Sequence, residues 1–249
     1  MTSILSIKKL TKKYGGLTAV NEIDLDIFSN EIIVIVGGNG AGKSTLIEMI
    51  SGSCMPTSGM IYYKEKALPL GDPLAIRHLG IETIYQDLSL VELLNVPDNI
   101  FLGREKFKRK FGLKILDHEY MHHESQKMTE KLKIDIPFYD RPIRFLSGGQ
   151  RQAVSISRAI YWNAEVIIMD EPTAALGIQE KRQVMDLILN LKGKGVTTIV
   201  ISHEMQDVFE IADRIVVIYQ GKCVAVKEKN KTNIEEIAHL IINGESTSH

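Results

Sequence analysis

Apolar and polar side chains alternate through the first 27 positions, most clearly in Ile23-Asp24-Leu25-Asp26-Ile27. A period of two predicts short antiparallel strands with one face toward water. Residues 32–36 (IIVIV) break that pattern and are continuously apolar, as a strand buried on both faces would be. Residues 166–169, 196–201 and 215–219 repeat this kind of run, and 81–85 is a shorter one. A turn at Pro56-Thr57-Ser58-Gly59 precedes another strand over 60–63. Helices are expected over 43–50, with Gly52 as the stop, and over 117–133, 147–162 and 179–192. Near the end, Thr232 with Glu235 reads as a capping box opening an amphipathic helix to Asn243 and Gly244. Helices alternating with buried strands imply an α/β fold built on a largely parallel sheet. Between about residues 87 and 146 glycine becomes sparse, which suggests a helical insertion in that core.

Composition narrows the class. The chain has 249 residues, 44% hydrophobic and 24% charged, enough to bury a large core without staples. A net charge of −1 supplies no global basic field for nucleic acid, so no nucleic-acid partner is expected. The two cysteines, Cys54 and Cys223, match no metal spacing and suit a reducing compartment. The first residues show no charged segment followed by an apolar core, so no signal peptide is expected. No apolar run approaches the roughly 20 residues that span a bilayer, and a soluble protein is expected.

Two stretches carry chemistry. Gly37-Gly38-Asn39-Gly40-Ala41-Gly42-Lys43-Ser44-Thr45 contains G-x-x-x-x-G-K-[ST] between a buried strand and a helix. Its glycines let successive N–H groups converge on phosphate oxygens, and the helix start adds its positive dipole end. Lys43 would reach the β- and γ-phosphates, and the Ser44 hydroxyl would ligate Mg²⁺. The second stretch is Val166-Ile167-Ile168-Met169-Asp170-Glu171, with two carboxylates at the C-terminal end of a buried strand. Open α/β sheets bind ligands at that end. Asp170 suits a Mg²⁺ partner held through water, and Glu171 a general base that polarises the attacking water.

A third stretch, Leu146-Ser147-Gly148-Gly149-Gln150, resembles the signature of the ATP-binding subunits of ABC transporters, and the likeness runs along nearly the whole chain. The resemblance implies a RecA-like core with an antiparallel β subdomain (1–86 and 157–249) and an inserted helical subdomain (87–156). It also assigns further residues. Tyr14 matches the aromatic residue that stacks on adenine, with Val20 beside it. Gln86 matches a glutamine that joins the metal site and catalysis. His203 matches the switch histidine that contacts the γ-phosphate. Ser147, Gly148, Gly149 and Gln150 would cover ATP held by a second copy of the chain. Residues 99–105 and 171–177 look like the carbohydrate-importer branch. The partners so implied are a second cassette, transmembrane permease subunits and, indirectly, a substrate-binding protein. The expected location is cytoplasmic, on the inner face of the membrane through the permease.

Gly177 departs from the pattern of most ABC ATPases, which carry Asp there, and puts a carboxylate role at that position in doubt. Rival readings are an ABC ATPase of translation or DNA repair and a regulatory module without turnover. Against the first, the stretch from Gln86 to Ser147 is short and lacks heptads; against the second, Glu171 and His203 are present. Residues 104–114 (REKFKRKFGLK) hold six basic side chains and two phenylalanines. They read as a solvated loop or helix face, with a membrane or nucleic-acid patch as the alternative.

Overall fold

A computed structural model of the chain describes residues 3–110 and 112–245. It opens with β1 (Ser3–Tyr14), β2 (Leu17–Phe28) and β3 (Ile32–Val36), then α1 (Lys43–Ile50), β4 (Ser58–Tyr63) and β5 (Lys66–Ala67). Next come α2 (Pro73–His78), β6 (Ile81–Ile84), α3 (Val96–Ile100), β7 (Phe107–Lys110) and β8 (Leu113–Leu116). The chain continues through α4 (His118–Lys131), α5 (Gly148–Tyr161), β9 (Val166–Asp170) and α6 (Ile178–Lys192). It closes with β10 (Thr197–Ile201), α7 (Met205–Ile211), β11 (Arg214–Tyr219), β12 (Lys222–Glu228) and α8 (Ile234–Asn243).

The residues form two compact units. The first takes the chain up to Thr83, Glu165–Pro172, and everything from Leu191 onward. The second takes Ile84–Ala164 and Thr173–Asn190.

In the first unit a six-stranded sheet runs β12-β11-β3-β10-β9-β6. β3 lies between β10 and β11, parallel to both, and β10 pairs parallel with β9. Every residue of β3 and β10 is buried, which is why these strands read as unbroken apolar runs. β12 closes one edge antiparallel to β11. A second sheet, β2-β1-β4-β5, is antiparallel throughout. Its first two strands have 12 residues each, so the early alternation marks a long ribbon and not short strands. Leu5, Ile7, Ile33, Ile35, Ile168 and Val216 join one core from both sheets. Burying each such side chain is worth about 1.5–3 kcal/mol.

The second unit has its own core of Val96, Ile100, Phe101, Met121, Ile143 and Val154. The ring of Phe101 lies 4.7 Å from that of Tyr161 and 5.8 Å from that of Trp162. Trp162 packs against this cluster partly buried, with its indole N–H donating to the Ile100 carbonyl at 3.0 Å.

Two expectations are corrected. The last helix is capped by Asn233, whose side chain accepts the Glu236 N–H at 2.8 Å. The Thr232 hydroxyl instead donates to the Glu236 carboxylate, so no box forms between Thr232 and Glu235. β7 and β8 pair antiparallel where a loop or helix face was expected.

Candidate active site

β3 ends at Val36, and the backbone then curls through Gly37–Gly42 into α1. Gly42 has φ of +103°, and a Cβ there would run into the Ala19 carbonyl oxygen, so only glycine serves. The loop is pinned from outside: the Gly221 N–H donates to the Ala41 carbonyl, and the Gly221 carbonyl accepts from the Asn21 N–H. No side chain caps the start of α1. Its first N–H groups therefore have no intrahelical partner, the state in which a helix start takes an anion. Lys43 folds back over the loop and donates to the carbonyls of Gly37 at 2.8 Å and Gly38 at 3.0 Å. Burial pulls its ammonium below the ordinary lysine range, while Glu171 and Asp170 push the other way. Ser44 is exposed and Thr45 half-buried on the next turn.

β9 delivers the acids. Ile201 of β10 lies in register with Asp170, and the Glu171 N–H donates to the Ile201 carbonyl at 3.1 Å. Two parallel neighbours thus bring Glu171 and His203 to one end of the sheet, where His203 Nδ1 stands 3.0 Å from Glu171 Oε1. Glu171 holds φ of +49°, a left-handed backbone that costs about 1–3 kcal/mol and gathers at functional sites. Burial first, and then the charge of Glu171, raise the Asp170 carboxyl above its ordinary range; Lys43 partly offsets this. A half-buried carboxylate crowded by a like charge fits a hard divalent cation, and the exposed Ser44 hydroxyl is an oxygen donor of the same class. Among the described residues no cluster of three or more His, Cys, Asp or Glu could hold a metal.

Tyr14, at the end of β1, is 48% exposed, with Lys12 Nζ 4.9 Å from its ring centre. Its hydroxyl lies 3.3 Å from Cys54 Sγ, a contact that raises its pKa most, and Thr45 is a further partner. An aromatic face is therefore open beside the first turn of α1. Val20, expected next to it, is fully buried in the core and offers no surface to a ligand. Gln86 is exposed just past β6 and belongs to the second unit.

The signature stretch lies in that unit too. Ser147 caps α5 in a full capping box: its hydroxyl oxygen accepts the Gln150 N–H at 3.3 Å, and its own N–H donates to Gln150 Oε1 at 3.0 Å. The sequence did not reveal Glu180. Gly177 donates its N–H to Glu180 Oε2 at 3.1 Å. The Ser147 hydroxyl, that N–H and the N–H groups of Gly149 and Gly148 hold the Glu180 carboxyl below the ordinary range. A Cβ on Gly149 would stand 3.0 Å from the Glu180 Cβ, so the glycine is needed for this approach. A carboxylate thus occupies the anion-binding turn, and Gly177 takes part through its backbone. A lone acid in the first turn of a helix gives no sequence signal for such a role.

This arrangement has known relatives. A family model described as ABC transporter matches residues 20–174. The xylose/arabinose import ATP-binding protein XylG of Sulfolobus acidocaldarius is 42% identical over 241 residues, covering 97% of this chain and 94% of the relative. The fructose import ATP-binding protein FrcA of Rhizobium meliloti is 40% identical, with 95% and 93% covered. The ribose import ATP-binding protein RbsA of Caldanaerobacter subterraneus is 35% identical across the whole of this chain, which spans 49% of that relative. Among solved structures, an ATP-binding cassette of an ABC transporter in its ADP conformation superposes with a TM-score of 0.82 at 27% identity, covering 98% of this chain and 96% of that one. With its phosphate loop, sheet-end acids and signature turn all in place, the chain belongs to the ABC transporter family as an ATP-binding cassette.

Proposed function

We propose that the chain hydrolyses ATP to energise a membrane transporter that imports a sugar. The observation that carries the reading is the sheet end where Lys43, Asp170, Glu171 and His203 meet, with an uncapped helix start beside it. Support for a sugar comes from the xylose/arabinose and fructose import relatives, which match this chain over nearly their full length.

Phosphoryl transfer asks a protein for positioning and charge stabilisation more than for covalent chemistry. Tyr14 would carry the adenine on its open face. The N–H groups of the loop from Gly37 to Thr45, with Asn39, Gly40 and Ala41 at its crest, would cradle the phosphates. Lys43 would leave the Gly37 and Gly38 carbonyls for phosphate oxygens, exchanging one set of acceptors for another. Ser44, Asp170 and Gln86 would hold Mg²⁺, which neutralises charge developing on the phosphate oxygens. Glu171 would orient and deprotonate the attacking water, and His203 would steady Glu171 and contact the γ-phosphate. Ser147, Gly148, Gly149 and Gln150 would close over ATP bound to a second copy of the chain. Permease subunits and a substrate-binding protein complete the assembly, placing the chain peripherally at the cytoplasmic face of the membrane. No described helix is long and apolar enough to cross a membrane.

Steady-state ATP hydrolysis by the purified chain, with permease subunits added, tests this. Glu171→Gln should lower turnover about 10²- to 10⁴-fold, the usual worth of a general base, while nucleotide binding persists. Equal turnover in the variant would remove Glu171 from the mechanism. Copurification with ribosomes in place of a permease would remove the transport role.

A further inference from the structure

The hairpin β7–β8 is not used by the site above. Among the described residues it is a two-stranded sheet, and such hairpins are marginal alone. The register pairs Phe107 with Leu116 and Arg109 with Lys114, while Lys108 faces Ile115 and Lys110 faces Leu113. Side chains two apart share a face, so Phe107, Leu116, Arg109 and Lys114 line one side. All four are exposed, Phe107 at 46% and Leu116 at 37%. The other side also carries exposed Lys110 and Leu113, but there Lys108 is tied down by Asp117 at 3.1 Å and Glu119 at 2.8 Å.

The Phe107 face combines two properties. Arg109 and Lys114 stand directly opposite each other, and like charges so placed weaken a hairpin. Beside them two large apolar side chains face solvent, with Lys114 Nζ 4.1 Å from the centre of the Phe107 ring. Arg104 and Lys106 sit over Trp162 at the base, 4.7 Å and 5.4 Å from its ring centre, and keep their charge there. Residues 104–116 contain six basic side chains and one acid, Glu105, within a chain whose net charge is −1. The positive charge is thus concentrated here. A surface that is both apolar and densely anionic would relieve the Arg109–Lys114 repulsion and cover Phe107 and Leu116 together. The interface of an anionic lipid bilayer has this chemistry.

We infer that the Phe107–Arg109–Lys114–Leu116 face of the hairpin docks on an anionic lipid surface, giving the cassette a membrane contact of its own. This rests on the exposed face, and the reading as a transporter ATPase adds only that a membrane is near.

The test is co-sedimentation of the full chain, without permease, with vesicles of phosphatidylcholine and of phosphatidylcholine mixed with phosphatidylglycerol. The chain should bind the phosphatidylglycerol vesicles and be released by salt. Each basic residue near such a surface strengthens binding about fivefold, so Arg109→Gln with Lys114→Gln should weaken it roughly thirtyfold. Phe107→Ser with Leu116→Ser, which leaves the charge intact, should also weaken binding. ATP hydrolysis should be unchanged in both variants, and their thermal midpoints should show that they fold. Equal binding to both vesicle types, no binding to either, or full binding by either variant would overturn the inference. So would capture of duplex DNA in preference to vesicles. Loss of hydrolysis in the wild-type chain with vesicle binding intact would instead count against the ATPase reading.

Discussion

Asp170 and Glu171 put two carboxylates side by side at the end of β9, and Lys43 partly balances them. Folding raises the Asp170 carboxyl, chiefly by burial, so folding favours its neutral form. The contribution to stability is then present below the ordinary carboxylate range and lost as pH rises through the raised value. At neutral pH without divalent cation, the ionised Asp170 is a net cost. Asp170→Asn should therefore melt higher than wild type at pH 7, and the gap should close on acidification; a gap that widens would contradict the assignment. The same variant should lose Mg²⁺-dependent nucleotide affinity. At this scale the sequence disclosed the acids, Lys43 and Ser44, because fixed spacing marks them. It did not disclose Glu180, whose role depends on α6 meeting the start of α5, and it misplaced Val20, since nothing in a local string tells a buried valine from a lining one.

Among the elements, legibility followed apolar content. β3, β9, β10 and β11 were evident because strands buried on both faces leave unbroken apolar runs. β7 reads FKRK, a strand held by pairing with β8 and not by a buried face, so no periodicity betrays it. α3 has only five residues, too few for a helical period to register. The final cap moved one position because Thr232 and Asn233 are both good caps and are each followed three residues later by Glu. Packing gives a sharper test. Phe101 is fully buried against Tyr161 and the half-buried Trp162, so Phe101→Ala should cost about 3–5 kcal/mol. Trp162 is the only tryptophan, so its fluorescence in denaturant reports this unit directly. An unchanged unfolding midpoint would mean that the aromatic cluster does not stabilise it.

For the molecule as a whole, the signature turn decides whether one chain is a complete enzyme. If Ser147, Gly148 and Gly149 serve a second copy, Ser147→Arg should leave nucleotide affinity of the isolated chain within about twofold, near the scatter of a surface change. It should abolish both dimerisation and turnover. Light scattering with ATP present, read beside single-chain binding, separates this from a turn that serves its own chain, where affinity itself would fall. The Glu171–His203 hydrogen bond adds a proton count to that cycle. An ionised carboxylate only accepts, so Nδ1 must carry the proton in this contact. A neutral imidazole then has a bare lone pair on Nε2, which repels a phosphate oxygen. On the proposed mechanism His203 can turn an N–H toward phosphate once Glu171 has taken the water's proton and donates it to Nδ1, or once it releases Glu171. On that reading the histidine tautomer follows the proton on the base, or the contact opens as a latch when phosphate arrives, and the freedom of Glu171 is tied to its neighbour.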